Sequence, residues 1–201
     1  MTTAANPTYV AFEGDRRIAS GSLREVARTA RAALDRHSHA SILVFDVQTS
    51  ALVDLDLRGS VDDVVARIPP ATTPPASEDA AVAAPRGPGR PKLGVVAREI
   101  TLLPRHWDWL AQQKGGASVA IRKLVDEARR ANEEPDRIRV GQEAAYRFMS
   151  AMAGNRPHFE EAIRALFADE PRRFETLIAE WPADIRDHTA NLAERAFRRE
   201  I

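Results

Sequence analysis

The spacing of apolar residues predicts a mixed α and β segment at the start of the chain. In TYVAFEGDRRIASG, weak alternation on both sides of Gly14-Asp15 predicts a β-hairpin. The next stretch, SLREVARTARAALDRH, has apolar residues at helical spacing, and Ser22 with Glu25 matches a helix capping box. The short apolar run SILVFDV predicts a buried strand. The strictly alternating ALVDLDLRG predicts a half-solvated strand paired with it.

A short helix, VDDVVARI with Ser60 as its cap, completes the element order ββαββα. For residues 7–68 this order predicts a small antiparallel sheet with a helix on one face, which belongs to the α+β fold class. Residues 69–90 are rich in proline and alanine and show no periodicity, so we predict a flexible, disordered linker there.

Residues 138–201 have the spacing of a small antiparallel helical array, preceded by a polar gap, NEEPDR. Trp181 is expected to be buried between these helices. Three prolines stand where a helix could begin, because proline suits the first helical turn. These are Pro157, Pro171 and Pro182, and the predicted helices cover about 138–153, 157–168, 171–180 and 182–198.

Residues 91–131 predict the order strand, helix, turn, helix. AREITLLP predicts the strand, and Pro104 suits the first position of the helix PRHWDWLAQQ. Gly115-Gly116 is expected to end that helix, and Ser118 to cap the helix VAIRKLVDEARR. Trp107 and Leu110 have helical spacing, so we expect the Trp107 side chain to lie in the core. We also expect Trp109 to lie in the core rather than to stack on nucleic-acid bases.

This succession, with LP before WDWLAQQ and GGASVAIRKLVDEA after it, resembles the ribbon-helix-helix family of bacterial DNA-binding proteins. In that family two chains pair their strands into an antiparallel ribbon that enters the major groove. The resemblance implies a homodimer through residues 98–103, with Arg98 and Thr101 as DNA contacts. Glu99 and Leu103 also fall at positions that face the bases, and they depart from the polar and basic side chains usual in the family.

The same resemblance implies a phosphate site where the second helix begins. Free backbone N–H groups and the helix dipole favour an anion at such a position. The residues concerned are Gly116, Ala117, Ser118 and Val119, followed by Arg122 and Lys123.

Just before the predicted strand, PRGPGRPKLG resembles an AT-hook, whose Arg-Gly-Arg-Pro core lies extended in the narrow minor groove. Gly89, Arg90 and Pro91 match that core, and Lys92 could reach a phosphate. Arg86 is displaced from the position of the first arginine in the motif.

The charge of the chain is unevenly distributed. The formal net charge is zero, yet residues 86–130 contain ten basic and four acidic residues. A local excess of this size is typical of a surface that binds a polyanion. In an alternative interpretation this is a solvated helix face, where Arg122, Asp126, Arg129 and Arg130 pair with one another at i,i+4 spacing.

Several classes of function are not supported by the sequence. There is no cysteine, which excludes disulfides, thiolate metal sites and cysteine nucleophiles. No phosphate-binding loop, Ser-His-Asp order or dinucleotide fingerprint is present, so we expect no enzyme and no cofactor. His37 and His39 have no third ligand nearby, so no metal is expected. With no apolar run of about 20 residues and no signal-like N-terminus, we expect a cytoplasmic protein without membrane contact.

The sequence therefore favours a DNA-binding protein, a dimeric ribbon-helix-helix-like regulator of transcription or a nucleoid-associated protein. The alternative is a non-catalytic interaction or structural module, in which apolar residues of the centre pack against the C-terminal helices. GRPKLGVVAREITLLPRHWDWLAQQ, GGASVAIRKLVDEARR and AAYRFMSAMAG also give the whole chain a resemblance to an uncharacterised bacterial domain-of-unknown-function family. The candidate DNA contacts are Arg90, Lys92, Arg98, Thr101, Gly116, Ala117, Ser118, Arg122 and Lys123.

Overall fold

A computed structural model of the protein describes residues 8–69 and 98–198. The described residues belong to two compact units, which we call the first unit (8–69 and 132–198) and the central unit (98–131). Strands and helices both occur, which confirms the α+β class. They are β1 (Tyr9–Glu13), β2 (Arg16–Gly21), α1 (Leu23–Arg36), β3 (Ile42–Asp46), α2 (Val61–Arg67), α3 (Pro104–Ala111), α4 (Gly116–Ala131), α5 (Glu133–Met152), α6 (Phe159–Phe167), α7 (Pro171–Ile178) and α8 (Ala183–Ala193). All but the first residue of the predicted linker 69–90 lies outside the described residues.

The predicted hairpin is present, and it forms part of a three-stranded antiparallel sheet of order β2-β1-β3. Gly14 makes the turn with a φ of 55°, a conformation that costs glycine little. Both predicted helix caps are also confirmed. The side chain of Ser22 accepts from the backbone N–H of Glu25, and Ser60 accepts in the same way from Asp63. These features depend on neighbouring residues only, which is why the sequence reveals them.

The prediction that ALVDLDLRG forms a half-solvated strand paired with the strand SILVFDV is wrong. Leu52 forms an isolated bridge with Phe45, and the backbone N–H of Val53 donates to the carbonyl of Val44 at 2.8 Å, but residues 53–59 form no strand. The guanidinium of Arg67 in α2 donates to the carbonyls of Asp56 and Arg58, at 3.0 and 2.8 Å. The Arg67 side chain thus donates the hydrogen bonds that these backbone carbonyls would otherwise accept from a neighbouring strand.

The sheet is covered on both faces. Successive side chains of a strand point to opposite faces, so Ala11 packs with Val26 of α1 while Phe12 faces the other way. The face with Phe12 and Phe45 shares one core with Phe148 of α5 and with residues of α6, α7 and α8. The helix on one face was predicted. The C-terminal helices on the other face were not, and they join residues 8–69 and 132–198 in one unit.

The C-terminal array contains four helices, as predicted, but some of them begin or end at other residues than predicted. Helix α7 begins at Pro171 as predicted, whereas Pro182 is the residue before α8. The polar gap NEEPDR is helical except for its first residue, Asn132, since α5 already begins at Glu133. Acidic residues in this first turn favour the helix because they face the positive end of its dipole. Trp181 is buried, and its Nε1 donates to the carbonyl of Pro157 at 2.9 Å, which confirms its predicted place.

Among the helices of residues 8–69 and 98–198, none combines the length and the apolar composition that crossing a bilayer requires.

Candidate functional site

The central unit is a pair of helices joined by a glycine turn. Helix α3 begins at Pro104, as predicted, and ends at Ala111. Gly115 and Gly116 have φ angles of 93° and 76°, which other residues rarely adopt. At Gly115 an added Cβ would also lie 3.1 Å from the side chain of Val119. The sequence Gly-Gly is therefore what allows α4 to start immediately after the turn.

The start of α4 differs from the prediction. The helix begins at Gly116, so Ser118 lies within its first turn and the prediction that Ser118 caps it is wrong. The backbone N–H of Gly116 donates to the carbonyl of Gln113 at 2.9 Å. The N–H groups of Ala117, Ser118 and Val119 have no acceptor within the helix, because the N–H groups of a first turn lack one. Gly116, Ala117 and Ser118 do lie together at this end, with Ser118 exposed.

The predicted strand at residues 98–103 is absent from the single chain, where these residues are irregular. Strands are defined by their hydrogen-bonded partners, and the predicted ribbon needs a second copy of the chain. Arg98 and Thr101 are exposed in this segment. Arg90 and Lys92, the two contacts of the AT-hook-like arm, lie outside the described residues.

The basic side chains of the central unit form no ion pair with any residue that the structure describes. Every ion pair formed within residues 8–69 and 98–198 lies in the first unit. The predicted alternative, pairing along the face of α4, is therefore not seen among these residues. Arg122 and Lys123 are both exposed one turn into α4. The cations of the central unit, all exposed and without an ion pair inside the described ranges, are Arg98, Arg105, Lys114, Arg122, Lys123, Arg129 and Arg130.

An apolar groove of about 430 Å³ runs along the central unit. Trp109 of α3 and Val125 of α4 both line it and are each 50% exposed, and Trp107 of α3 is 42% exposed. The expectation that both tryptophans are core residues is therefore wrong. Of residues 98–131, only Leu110 and Ala120 are buried. Four residues of α4 at helical spacing line the groove, namely Ile121, Leu124, Val125 and Ala128. Its other lining residues are Ile100, Leu102, His106, Trp109 and Leu110.

A second feature, in the first unit, was missed by sequence reasoning. His188 of α8 is buried against Phe12 and Phe148, with its ring centroid 4.5 Å from that of Phe148. Its Nε2 is buried and has no hydrogen-bond partner among the described residues. Burial, and then the positive charges of Arg17 and Arg195, lower the pKa of His188 to about 4. No local motif marks this histidine, because its neighbours come from distant parts of the chain.

The low pKa of His188 predicts an acid-sensitive fold. The unfolded chain binds a proton on this histidine near pH 6.5, whereas the folded chain does so only near pH 4. The unfolded state thus gains protons first, and the free energy of unfolding falls as the pH is lowered through this window. We expect a His188 contribution of roughly 2 kcal/mol to be lost between pH 7 and pH 5.

Urea denaturation at the two pH values measures this loss. His188→Gln should flatten the pH dependence, whereas His39→Gln, at an exposed position, should leave it as in the native chain. An equal pH dependence in the His188 variant and the native chain would show that this group does not carry the effect.

The residues 8–69 and 98–198 contain no cluster of three or more His, Asp or Glu side chains able to hold a metal ion. A family model described as an uncharacterized protein conserved in bacteria (DUF2239) matches residues 8–193. No curated protein and no solved structure matches the chain. The ribbon-helix-helix and AT-hook resemblances stay predictions, because no comparison bears on them. Since the match includes both units, from the hairpin to α8, the chain belongs to the bacterial family DUF2239.

Proposed function

We propose that the protein binds DNA as a homodimer formed through the central unit. The observation that carries the proposal is a group of seven exposed cations, none with an ion pair to another described residue, in the same unit as an open apolar groove. With four acidic residues in the same range, residues 98–131 have an excess of three positive charges. Cations without a protein carboxylate are free to pair with phosphates, and the counterions released make such binding favourable.

The open groove supports pairing of two copies. A helix pair with two buried apolar residues has too small a core to stabilise itself, and segments below about 40 residues usually need disulfides, metals or association. The chain has no cysteine, and the described residues form no metal cluster. Association with a second copy would cover Ile100, Trp109, Leu124 and Val125. Closed twofold pairing is the commonest form of association between identical chains.

Dimerisation would also supply the missing strand partner. Residues 98–103 lead directly into α3 and carry exposed Arg98 and Thr101. Two such segments could pair in the antiparallel ribbon that the sequence predicts. The start of α4, with Gly116, Ala117 and Ser118, would then be present twice, each time one turn before Arg122 and Lys123. Backbone N–H groups and cations at such a helix start suit a phosphate oxygen.

Fluorescence anisotropy with a labelled random duplex, measured over a series of salt concentrations, tests the proposal. We expect a steep loss of affinity with added salt, and about tenfold weaker binding with a shallower salt slope for Arg122→Gln/Lys123→Gln. The matched control is Arg172→Gln/Arg173→Gln, which removes the same charge from an exposed part of α7. Absence of binding at low salt, or equal losses in both double variants, would contradict DNA binding by the central unit.

Light scattering, combined with the same anisotropy assay, tests whether the protein is a dimer and whether DNA binding depends on the dimer. Leu124→Glu places a charge in the groove and should give a monomer that binds DNA at least about tenfold more weakly. Val140→Glu on α5 is the control, since Val140 and Leu124 are 44% and 46% exposed. A dimer that depends on Leu124 but binds no DNA would favour the interaction module instead. A native chain that is monomeric would contradict the dimer.

A further inference from the structure

A cavity of about 370 Å³ in the first unit combines apolar walls with positive charge. It lies where β1, β2, the turn after β3 and α8 meet. Val10, Val47 and Leu192 provide the apolar surface. Ligand cavities in proteins typically have volumes of about 300–1,000 Å³ and join apolar walls to a few polar groups. This cavity has the size expected for a small molecule.

The charged side chains that line the cavity are Arg17 and Arg195, and no carboxylate is among its described lining residues. Arg195 is held in place because its guanidinium donates to the carbonyl of Val47 at 3.1 Å. The nearest acidic group to Arg17 in the hydrogen-bond network is Asp184, which accepts from the backbone N–H of Arg17 at 2.7 Å. The Arg17 guanidinium forms no ion pair among the described residues, so it is available to an anion.

His188 gives the cavity a third polar group. The residue lines the cavity, is 6% exposed, and has a buried Nε2 without a hydrogen-bond partner among residues 8–69 and 98–198. Leaving a buried polar atom unpaired costs about 1–3 kcal/mol, so such atoms in native proteins usually have a partner. A ligand in the cavity would lie beside this ring. The low pKa of His188 agrees with this placement, since both arginines act on the ring.

We propose that this cavity binds a small organic acid. The anionic group lies between the guanidinium groups of Arg17 and Arg195, and the apolar part lies against Val10, Val47 and Leu192. The imidazole of His188 forms part of the wall beside the ligand. Guanidinium groups suit carboxylates because they donate two parallel hydrogen bonds. The site is independent of the proposed DNA binding, since all its residues belong to the first unit.

Benzoate is a suitable probe because it joins one carboxylate to one apolar ring. A titration of the ¹⁵N-labelled full-length chain should shift the imidazole resonances of His188 and the amide resonances of Ser20 and Asn191, which also line the cavity. Benzamide, which has the same shape but no charge, should bind at least about tenfold more weakly, because the charge-assisted hydrogen bonds to the arginines are weakened.

Arg17→Gln is the variant that tests the site, because the Arg17 side chain is exposed and its loss should not unfold the protein. We expect about tenfold weaker benzoate binding in this variant. Arg16→Gln is the matched control, since Arg16 is the preceding, exposed residue of β2 and does not line the cavity. Circular dichroism melting should show that both variants are folded.

Three results would overturn the proposal. The first is that benzoate leaves the resonances of His188, Ser20 and Asn191 unchanged. The second is that benzamide binds as tightly as benzoate. The third is that Arg16→Gln and Arg17→Gln bind benzoate equally well. A failure of DNA binding would leave these measurements unaffected, since they report on a different unit.

Discussion

Phe148→Ala is expected to lower the free energy of unfolding by about 4 kcal/mol, the loss typical of removing a large aromatic side chain from a core. Phe148 is completely buried in α5. Its ring centroid lies 5.3 Å from that of Phe12 and 5.2 Å from that of Phe45, so it packs against two strands of the sheet. The variant loses buried apolar area and leaves a cavity between the sheet and the helices.

This substitution also tests whether the sheet and the C-terminal helices unfold together. Urea denaturation followed by circular dichroism gives the loss of stability. Hydrogen exchange should become faster in β1 and in α7 alike, because both contribute to one core. Phe167→Ala is the control: Phe167 is 51% exposed, and its removal should cost less than about 1 kcal/mol. Faster exchange confined to the helices would contradict a shared core.

Gly141→Ala is expected to lower the free energy of unfolding by about 3 kcal/mol, at the upper end of the usual cost of overpacking. A Cβ at residue 141 would lie 2.5 Å from the carbonyl carbon of Arg195 and 2.7 Å from the backbone nitrogen of Ala196. These are backbone atoms, which cannot move aside as a flexible side chain would. Arg137 holds the same segment in place, since its guanidinium donates to the carbonyls of Arg195 and Phe197, both at 2.8 Å.

The direction of the change in stability distinguishes overpacking at residue 141 from the effect of helix propensity. Helix propensity alone predicts that alanine in place of glycine stabilises a helix by about 1 kcal/mol. Ser150→Ala at an exposed position of the same helix is the control, and it should change stability by less than about 0.5 kcal/mol. Thermal melting of the two variants measures the difference. A Gly141→Ala variant as stable as the native chain would show that α5 and the segment after α8 do not approach this closely.

The candidate site was predictable where its conformation depends on adjacent residues. Pro104 marks the start of α3, and Gly115-Gly116 marks the turn to α4, because few other residues tolerate those backbone angles. The exposure of Trp107 could not be read in the same way. Helical spacing shows which residues share a face, but it does not show whether another surface covers that face.

The cavity beside His188 could not be predicted at all. Arg17 and Arg195 lie more than 170 positions apart in the sequence, and only the packing of α8 on the sheet brings them to one cavity. The wrong strand in ALVDLDLRG has a similar origin. Apolar and polar residues do alternate there. However, the Arg67 guanidinium, from the following helix, donates hydrogen bonds to the backbone carbonyls of Asp56 and Arg58.

The local features of this protein follow from its sequence: the hairpin at Gly14, the capping box at Ser22, the helix cap at Ser60 and the glycine turn before α4. Each depends on backbone angles and hydrogen bonds within a few residues. Two further features depend on tertiary packing: the C-terminal helices cover the second face of the sheet, and the groove of the central unit is open. The reason is that burial depends on which distant segments come into contact. An apolar pattern along one segment does not show which other segment packs against it.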